Sequence, residues 1–410
     1  MGLLHSGALL PGLTRRKALA GAGALFSWSY LPKFAQAAQS TDPRFVTIIL
    51  RGALDGLSAV APLGDPSYAG LHGAIALSRE GANAALPLDS FFGLNPAMKT
   101  FARLYQAKQA SVVHAIATPY RERSHFDGQD VLESGLPGKA QVTSGWMNRM
   151  LEALPKGEKV NVKSNGLAVG TVTPLILRGA APVTGWVPSG MASANEDVAQ
   201  RLLDLYSQRD PVLAKALAQG LGIEKIVARD MGEMKPVGGV AMMRQIAQGA
   251  AKLLAAEDGP RIGALSFDGW DTHANEGGAS GRLAQLLGGL DDALGEFEKT
   301  LGPVWSKTVI VVVTEFGRTA RINGTIGTDH GTGTVAFLAG GAIKGGRVIA
   351  DWPGLKDEQL FEKRDLKPTT DLRALLKGLM VEHLGLSANV LGEKVFPNSA
   401  AVKPMTGLIG

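Results

Sequence analysis

The residue types able to do chemistry cluster in a few short stretches of this 410-residue chain. Residues 314–319 read TEFGRT and residues 327–333 read GTDHGTG, which sets Glu315, Arg318, Asp329 and His330 close together. Upstream, DGWDTH at 268–273 places Asp271 two residues before His273. Residues 121–130, RERSHFDGQD, bring Arg123, Ser124 and His125 into one polar loop, and RGALDG at 51–56 carries Asp55. Imidazole beside carboxylate suits Zn²⁺ and other divalent ions. Arginine suits an oxyanion. A lone D-x-H is a weak pattern; its position at a strand's carboxyl end, matching the end of the Thr308–Thr314 run, gives it weight.

Such side chains need a frame. Thr308–Thr314 is a short β-branched apolar run that reads as a buried strand, and Thr334–Ala339 reads as another. Residues 45–50 (FVTIIL), 111–117 (SVVHAIA) and 261–267 (RIGALSF) predict three more, with short strands at 166–170, 174–177 and 347–350. Helices are predicted at 95–108, 126–134, 145–154, 280–301 and 369–384, the last capped by Thr369 or Thr370. Residues 62–87 look irregular. Residues 192–256 read as a helical insertion, broken near 220–222 and 236–239, whose apolar faces need a partner. His114, inside a strand, reads as a core histidine, and His383 as a surface residue complementing a helix dipole. Each polar cluster falls at a strand end, where ligands bind in open α/β sheets. Ser124 precedes a helix, so it is either an N-cap or a hydroxyl held at a helix N-terminus. Asp55 is either a ligand on the first strand's loop or half of an ordinary Asp-Gly turn.

Composition narrows the classes. With 45% hydrophobic and 19% charged residues the chain buries a large core. It has no cysteine, which excludes disulfides, thiolate metal sites and thiol nucleophiles. Arg15-Arg16 stand before a weakly apolar run at 18–30, and Ala35-Gln36-Ala37 fits a cleavage site. Residues 1–37 are thus expected to be a twin-arginine signal peptide, recognised by the twin-arginine export machinery, with residues 38–410 as one domain in the periplasm or secreted. Removing Arg15, Arg16, Lys17 and Lys33 leaves 38 basic against 37 acidic residues, so nothing favours nucleic acid. No apolar stretch of the mature chain is long enough to span a bilayer.

The leader, LRGALDGL, RSHFDGQDVLESG, DGWDTH, TEFGRT and NGTIGTDHG together resemble the bacterial domain of unknown function 1501 family, over essentially all of the mature chain. That family is similar in turn to the alkaline phosphatase, sulfatase and phosphoglycerate mutase superfamily. The resemblance implies a three-layer α/β/α sandwich around a mostly parallel sheet. It implies two metal ions flanking a nucleophile at a helix start. Ser124 would match the nucleophile, Asp55 the first-strand ligand, Asp271 and His273 the second-ion region, and His330 its last histidine. Glu315-Phe316-Gly317 would occupy a D-H-G ligand motif. The chain departs from that pattern: Phe316 cannot bind metal, Asp271 and His273 lie unusually close, and Arg51 stands nearer than Asp55 to the usual first-ligand place.

The resulting expectation is an exported hydrolase-like protein acting on a small phosphate or sulfate ester. Its divalent cofactor is zinc, calcium, magnesium or manganese, held among Asp55, Asp271, His273, Glu315, Asp329 and His330. Ser124, His125, Arg123 and Arg318 would supply attack and an anion clamp. The alternative is a non-catalytic periplasmic binding or assembly protein that keeps the fold with a degenerate metal site. The altered position at Phe316 favours it.

Overall fold

The computed structural model describes residues 42–155, 166–188, 202–203, 205–206, 214, 217–218 and 238–410. The signal peptide expected at 1–37, and most of the helical stretch expected at 192–256, lie outside them. No described helix is long and apolar enough to cross a membrane.

Twelve strands are described, in chain order: β1 (Arg44–Arg51), β2 (Val60–Ala61), β3 (Leu86–Pro87), β4 (Gly93–Leu94), β5 (Ala110–Ala117), β6 (Gly166–Val169), β7 (Val183–Trp186), β8 (Ile262–Asp268), β9 (Thr308–Thr314), β10 (Thr334–Ala339), β11 (Arg347–Ile349) and β12 (Thr370–Asp371). Nine form the main sheet, in the order β11-β5-β10-β9-β1-β8-β6-β7, with β12 also on β5; β2, β4 and β3 make a small separate sheet. Every pairing in the main sheet is parallel except those of β10, which runs antiparallel to both β5 and β9.

The sequence of β1 shows why the sheet is covered on both faces. Side chains alternate along a strand. Val46, Ile48 and Leu50 enter one apolar cluster with the helices Lys99–Gln106, Ala241–Ala255 and Arg282–Leu301. Phe45 and Ile49 enter another with the helices Trp146–Ala153 and Leu372–Leu384. A strand apolar on both sides belongs in the middle layer of three. The fold is therefore an α/β sandwich with a mixed, mostly parallel sheet.

Several local expectations need correction. Residues Leu175–Leu177 form a 3₁₀ turn, not a strand. The helix expected from 369 starts at Leu372, because Thr370 and Asp371 pair with β5 first and the Asp371 carboxylate then caps the Arg373 N–H. Within 62–87 the chain forms a helix, Tyr68–His72, and the strand β3. His383 is not a surface charge: its Nε2 donates to the Arg44 carbonyl at 3.0 Å and burial lowers its pKa. His114 is a core residue, donating from Nε2 to the Val60 carbonyl (2.9 Å) and accepting at Nδ1 from the Ala115 N–H (2.8 Å).

Candidate metal centre

Because β1, β5, β8 and β9 all point one way, the loops after them open on one edge of the sheet. The loop after β5 leads to His125, that after β8 to Asp271 and His273, and that after β9 to Glu315 and Arg318. The reversed β10 delivers Asp329 and His330 to the same edge from the residues before it. Two glycines let these loops close. A Cβ on Gly52 (φ +120°) would stand 2.5 Å from the Asp271 nitrogen, and one on Gly327 would stand 2.4 Å from the His273 carbonyl.

Three imidazoles and a carboxylate converge there. His330 Nε2 lies 2.9 Å from His125 Nε2, 3.0 Å from His273 Nε2 and 3.3 Å from Asp271 Oδ1. Asp271 Oδ1 is 3.0 Å from His273 Nε2 and 3.5 Å from His125 Nε2. His125, Asp271 and His330 form a group whose donor atoms could hold one metal ion.

The outer nitrogens decide whether they fit it. His125 Nδ1 meets Glu315 Oε1 at 2.8 Å, His273 Nδ1 meets Asp329 Oδ1 at 3.1 Å, and His330 Nδ1 meets the Arg123 carbonyl at 2.9 Å. Carbonyls and ionised carboxylates only accept, so each Nδ1 carries a proton. In the neutral rings that leaves the Nε2 lone pairs of His125 and His273 both pointing at that of His330. A single proton can bridge only one of those contacts, whereas a divalent cation among His125, Asp271 and His330 would relieve the crowding of their lone pairs. Ligating histidines are oriented by such outer contacts, and tetrahedral ligand atoms on zinc stand about 3.3 Å apart. The residues fit a metal.

Electrostatics tune the set. Burial would raise the Asp271 pKa, but the hydrogen bond and charge of Arg318, with His273 and His125 behind them, hold it below the usual range. Burial, and then the charge of His125, press His330 down. The Glu315 hydrogen bond lifts His125 against the cost of burial. Glu315 would itself be raised by burial, but the hydrogen bonds it accepts from His125, Gln129 and the Gly52 N–H keep it ionised and low. Asp329 is lowered, first by the Asn323 amide and then by His273.

Several expected roles change. Asp55 does not join the convergent atoms: it is fully buried, its Oδ1 caps the Leu57 N–H and its Oδ2 faces His72 Nε2 at 3.2 Å. Burial would raise Asp55, and the charge of His72 overrides it and holds the carboxyl far down, while neighbouring Glu276 is pushed well above its ordinary value by burial and by Asp55. Glu315 and Asp329 stand behind histidines instead of among the donors. Arg318 is no free clamp: its Nη1 holds Asp271 Oδ1 at 2.6 Å, its Nε meets Thr328 Oγ1 at 3.1 Å, and its side chain is sealed from solvent. Arg123 is held by Asp365 (2.8 Å) and Glu362 (2.5 Å). Ser124 has the extended backbone of an N-cap, but its side chain makes no capping bond; its N–H donates to the Tyr120 hydroxyl at 3.0 Å. Phe316 packs as a wall, its ring 5.0 Å from that of His125 and 5.5 Å from that of His330.

His125, read from sequence among the catalytic groups, lies among the candidate donor atoms. The available signal was its position one residue after Ser124, at the head of a helix following a buried strand. His72, Asn323 and Glu276 carried no sequence signal, since each acts through a partner far along the chain.

No curated protein matches this chain. Among solved structures, Ps i-CgsB in complex with k-i-k-neocarrahexaose is similar at 10% identity and a TM-score of 0.41, covering 88% of this chain and 77% of that one. An alkaline phosphatase superfamily protein from Vibrio parahaemolyticus is similar at 11% identity and 0.37, covering 73% and 60%. Phosphonoacetate hydrolase from Sinorhizobium meliloti is similar at 12% and 0.32, covering 68% and 57%. At such scores these likenesses bear no weight beyond themselves. The family model "Protein of unknown function (DUF1501)" matches residues 42–395, most of the chain, and the protein belongs to that family.

Proposed function

We propose that this protein is an exported, metal-dependent hydrolase of a phosphate or sulfate ester. The observation that carries the reading is the convergence of His125, His273 and His330 Nε2 on Asp271 Oδ1, with every Nδ1 proton already committed to an oxygen. Three imidazoles with one carboxylate suit zinc better than calcium or magnesium, which take oxygen ligands. A divalent ion held there supplies Lewis-acid polarisation of an ester oxygen. The chain's own residues do the positioning. Arg318 fixes Asp271 through a 2.6 Å contact, and Glu315, Asp329 and the Arg123 carbonyl fix the three rings. Phe316 excludes water from one side. Ser124, next to His125, is the chain's own candidate nucleophile, with a solvent water as the alternative.

A second reading is favoured by a specific observation. Arg123 and Arg318, the expected anion clamps, are both paired with protein acids, and the candidate donors His125, Asp271 and His330 are all protein side chains, as in structural zinc sites. On that reading the centre is structural and the protein is a non-catalytic binding or assembly component.

One experiment separates the two. Purified protein should contain about one divalent ion per chain, lost in His330→Ala, and should hydrolyse an aryl phosphate or aryl sulfate. Metal without turnover selects the second reading; absence of metal, before and after reconstitution, removes the hydrolase and the structural metal centre and leaves a non-catalytic protein with a degenerate site. Turnover that survives Ser124→Ala assigns the attack to water. Localisation is tested separately: Arg15→Lys with Arg16→Lys should strand the precursor in the cytoplasm.

A further inference from the structure

With Arg123 and Arg318 committed, the cations able to meet an anion must lie elsewhere, and the structure holds a group of them. Behind the metal centre is a small pocket of about 240 Å³, lined by Arg321, Lys363 and Arg364 together with Asp329, Asn323 and Asp357. Among the described residues neither Arg321 nor Lys363 makes an ion pair or a side-chain hydrogen bond. Arg364 is only partly committed: Nη2 donates to the His330 carbonyl at 2.7 Å and Nη1 lies 3.5 Å from Asp365.

The pocket is tied to the centre through those same residues. Asp329 forms part of its wall and also holds His273 Nδ1 at 3.1 Å. Asp329 and the His273 ring thus stand between the pocket and the converging Nε2 atoms. The turn that presents Lys363 is strained, since Glu362 (φ 53°) and Lys363 (φ 54°) are both left-handed, which neither residue type favours. The structure pins that turn by the Phe361–Asp365 bridge and by the Ala320 N–H donating to the Arg364 carbonyl. Strain that surrounding contacts maintain is characteristic of functional loops. The volume matches about eight waters, enough for one compact oxyanion and its first shell. Three cations against two carboxylates leave net positive charge around it.

We propose that this pocket takes a second anionic group, a phosphate, sulfate or carboxylate, carried by the substrate of the neighbouring centre. The inference rests on the hydrolase reading and narrows it: the substrate is a polyanion, with the reacting ester at the metal centre and another anion against Arg321, Lys363 and Arg364. Arg321 and Lys363 are then specificity-determining residues.

The test uses the metal-loaded full chain and the double variant Arg321→Gln/Lys363→Gln; both side chains are exposed, so the fold should tolerate it. Calorimetric titration with inorganic phosphate should show binding weakened about tenfold or more, since each charge-assisted contact contributes roughly that factor. Metal content should not change. Equal phosphate affinity in the two proteins overturns the anion pocket. In turnover, an aryl phosphate that also bears a carboxylate should show a raised KM and an unchanged kcat in the double variant, while the plain aryl phosphate should not respond. The same KM change for both esters overturns the assignment of the pocket to the substrate. A wild-type protein that cleaves neither ester sinks the hydrolase reading, and the phosphate titration still decides the pocket.

Discussion

The sharpest test of the metal centre leaves every donor in place. Glu315→Gln keeps the size of a fully buried side chain and removes the charge from the acceptor of the His125 Nδ1 proton, now 2.8 Å away. That contact is one of three that fix the ring tautomers. Losing such an outer partner weakens metal affinity about 10–100-fold, or about 1.4–2.7 kcal/mol. The assay is thermal or urea unfolding with and without zinc. At free zinc about a hundred times the wild-type Kd, the wild type should gain about 2.7 kcal/mol, and the variant only about 0.4–1.4 kcal/mol. Apo stability is read from the zinc-free curves, so any folding cost of burying an amide beside the Gly52 N–H and Gln129 cancels from the difference. An identical zinc-induced gain in both proteins would refute the argument that His125 Nε2 is a donor whose lone pair Glu315 maintains.

Other outcomes follow from features already described. His114, neutral and fully buried, has its pKa pushed by burial to about 4 from the usual 6.5. The unfolded chain therefore binds the proton first, and stability present above pH 6.5 falls as pH drops toward 4. The gap corresponds to about 3 kcal/mol. Urea unfolding at pH 7 and pH 4.5 should show that loss in wild type and not in His114→Gln, and parallel losses would refute it. Gly52→Ala forces a Cβ to 2.5 Å from the Asp271 nitrogen at φ +120°, and should cost roughly 3 kcal/mol or more together with bound metal, read by unfolding and elemental analysis. Asp371→Ala removes a helix cap and the Arg373 pair, and should cost about 1–2 kcal/mol without altering metal content.

The layers of the fold were legible because buried strands announce themselves. β1, β5, β8, β9 and β10 are runs of β-branched and small apolar residues that no surface element would carry. The site was legible in part: Asp271, His273 and His330 stand out as ligand types at strand ends. What could not be read was which acid binds and which acid orients. Glu315 and Asp329 look like ligands in one dimension; only the side-chain directions show each one behind a histidine. The role of Arg318 was hidden likewise, because a buried guanidinium and an exposed clamp are the same letter. Asp55 misled because its partner, His72, sits in a stretch with no periodic signal.

The reversal of β10 has a consequence for how the site assembles. Since β9 and β10 are antiparallel neighbours, residues 315–333 form a single excursion between adjacent strands, and Glu315, Arg318, Asp329 and His330 arrive together as a local hairpin-like unit. His125 and Asp271 come from distant parts of the chain and can join only after long loops have closed. An ion shared between these pieces would act as a cross-link formed late in folding, ranking the site edge low in stability before binding and much higher after it. Amide hydrogen exchange in 315–333 should then slow on metal addition far more than exchange in the centre of the sheet.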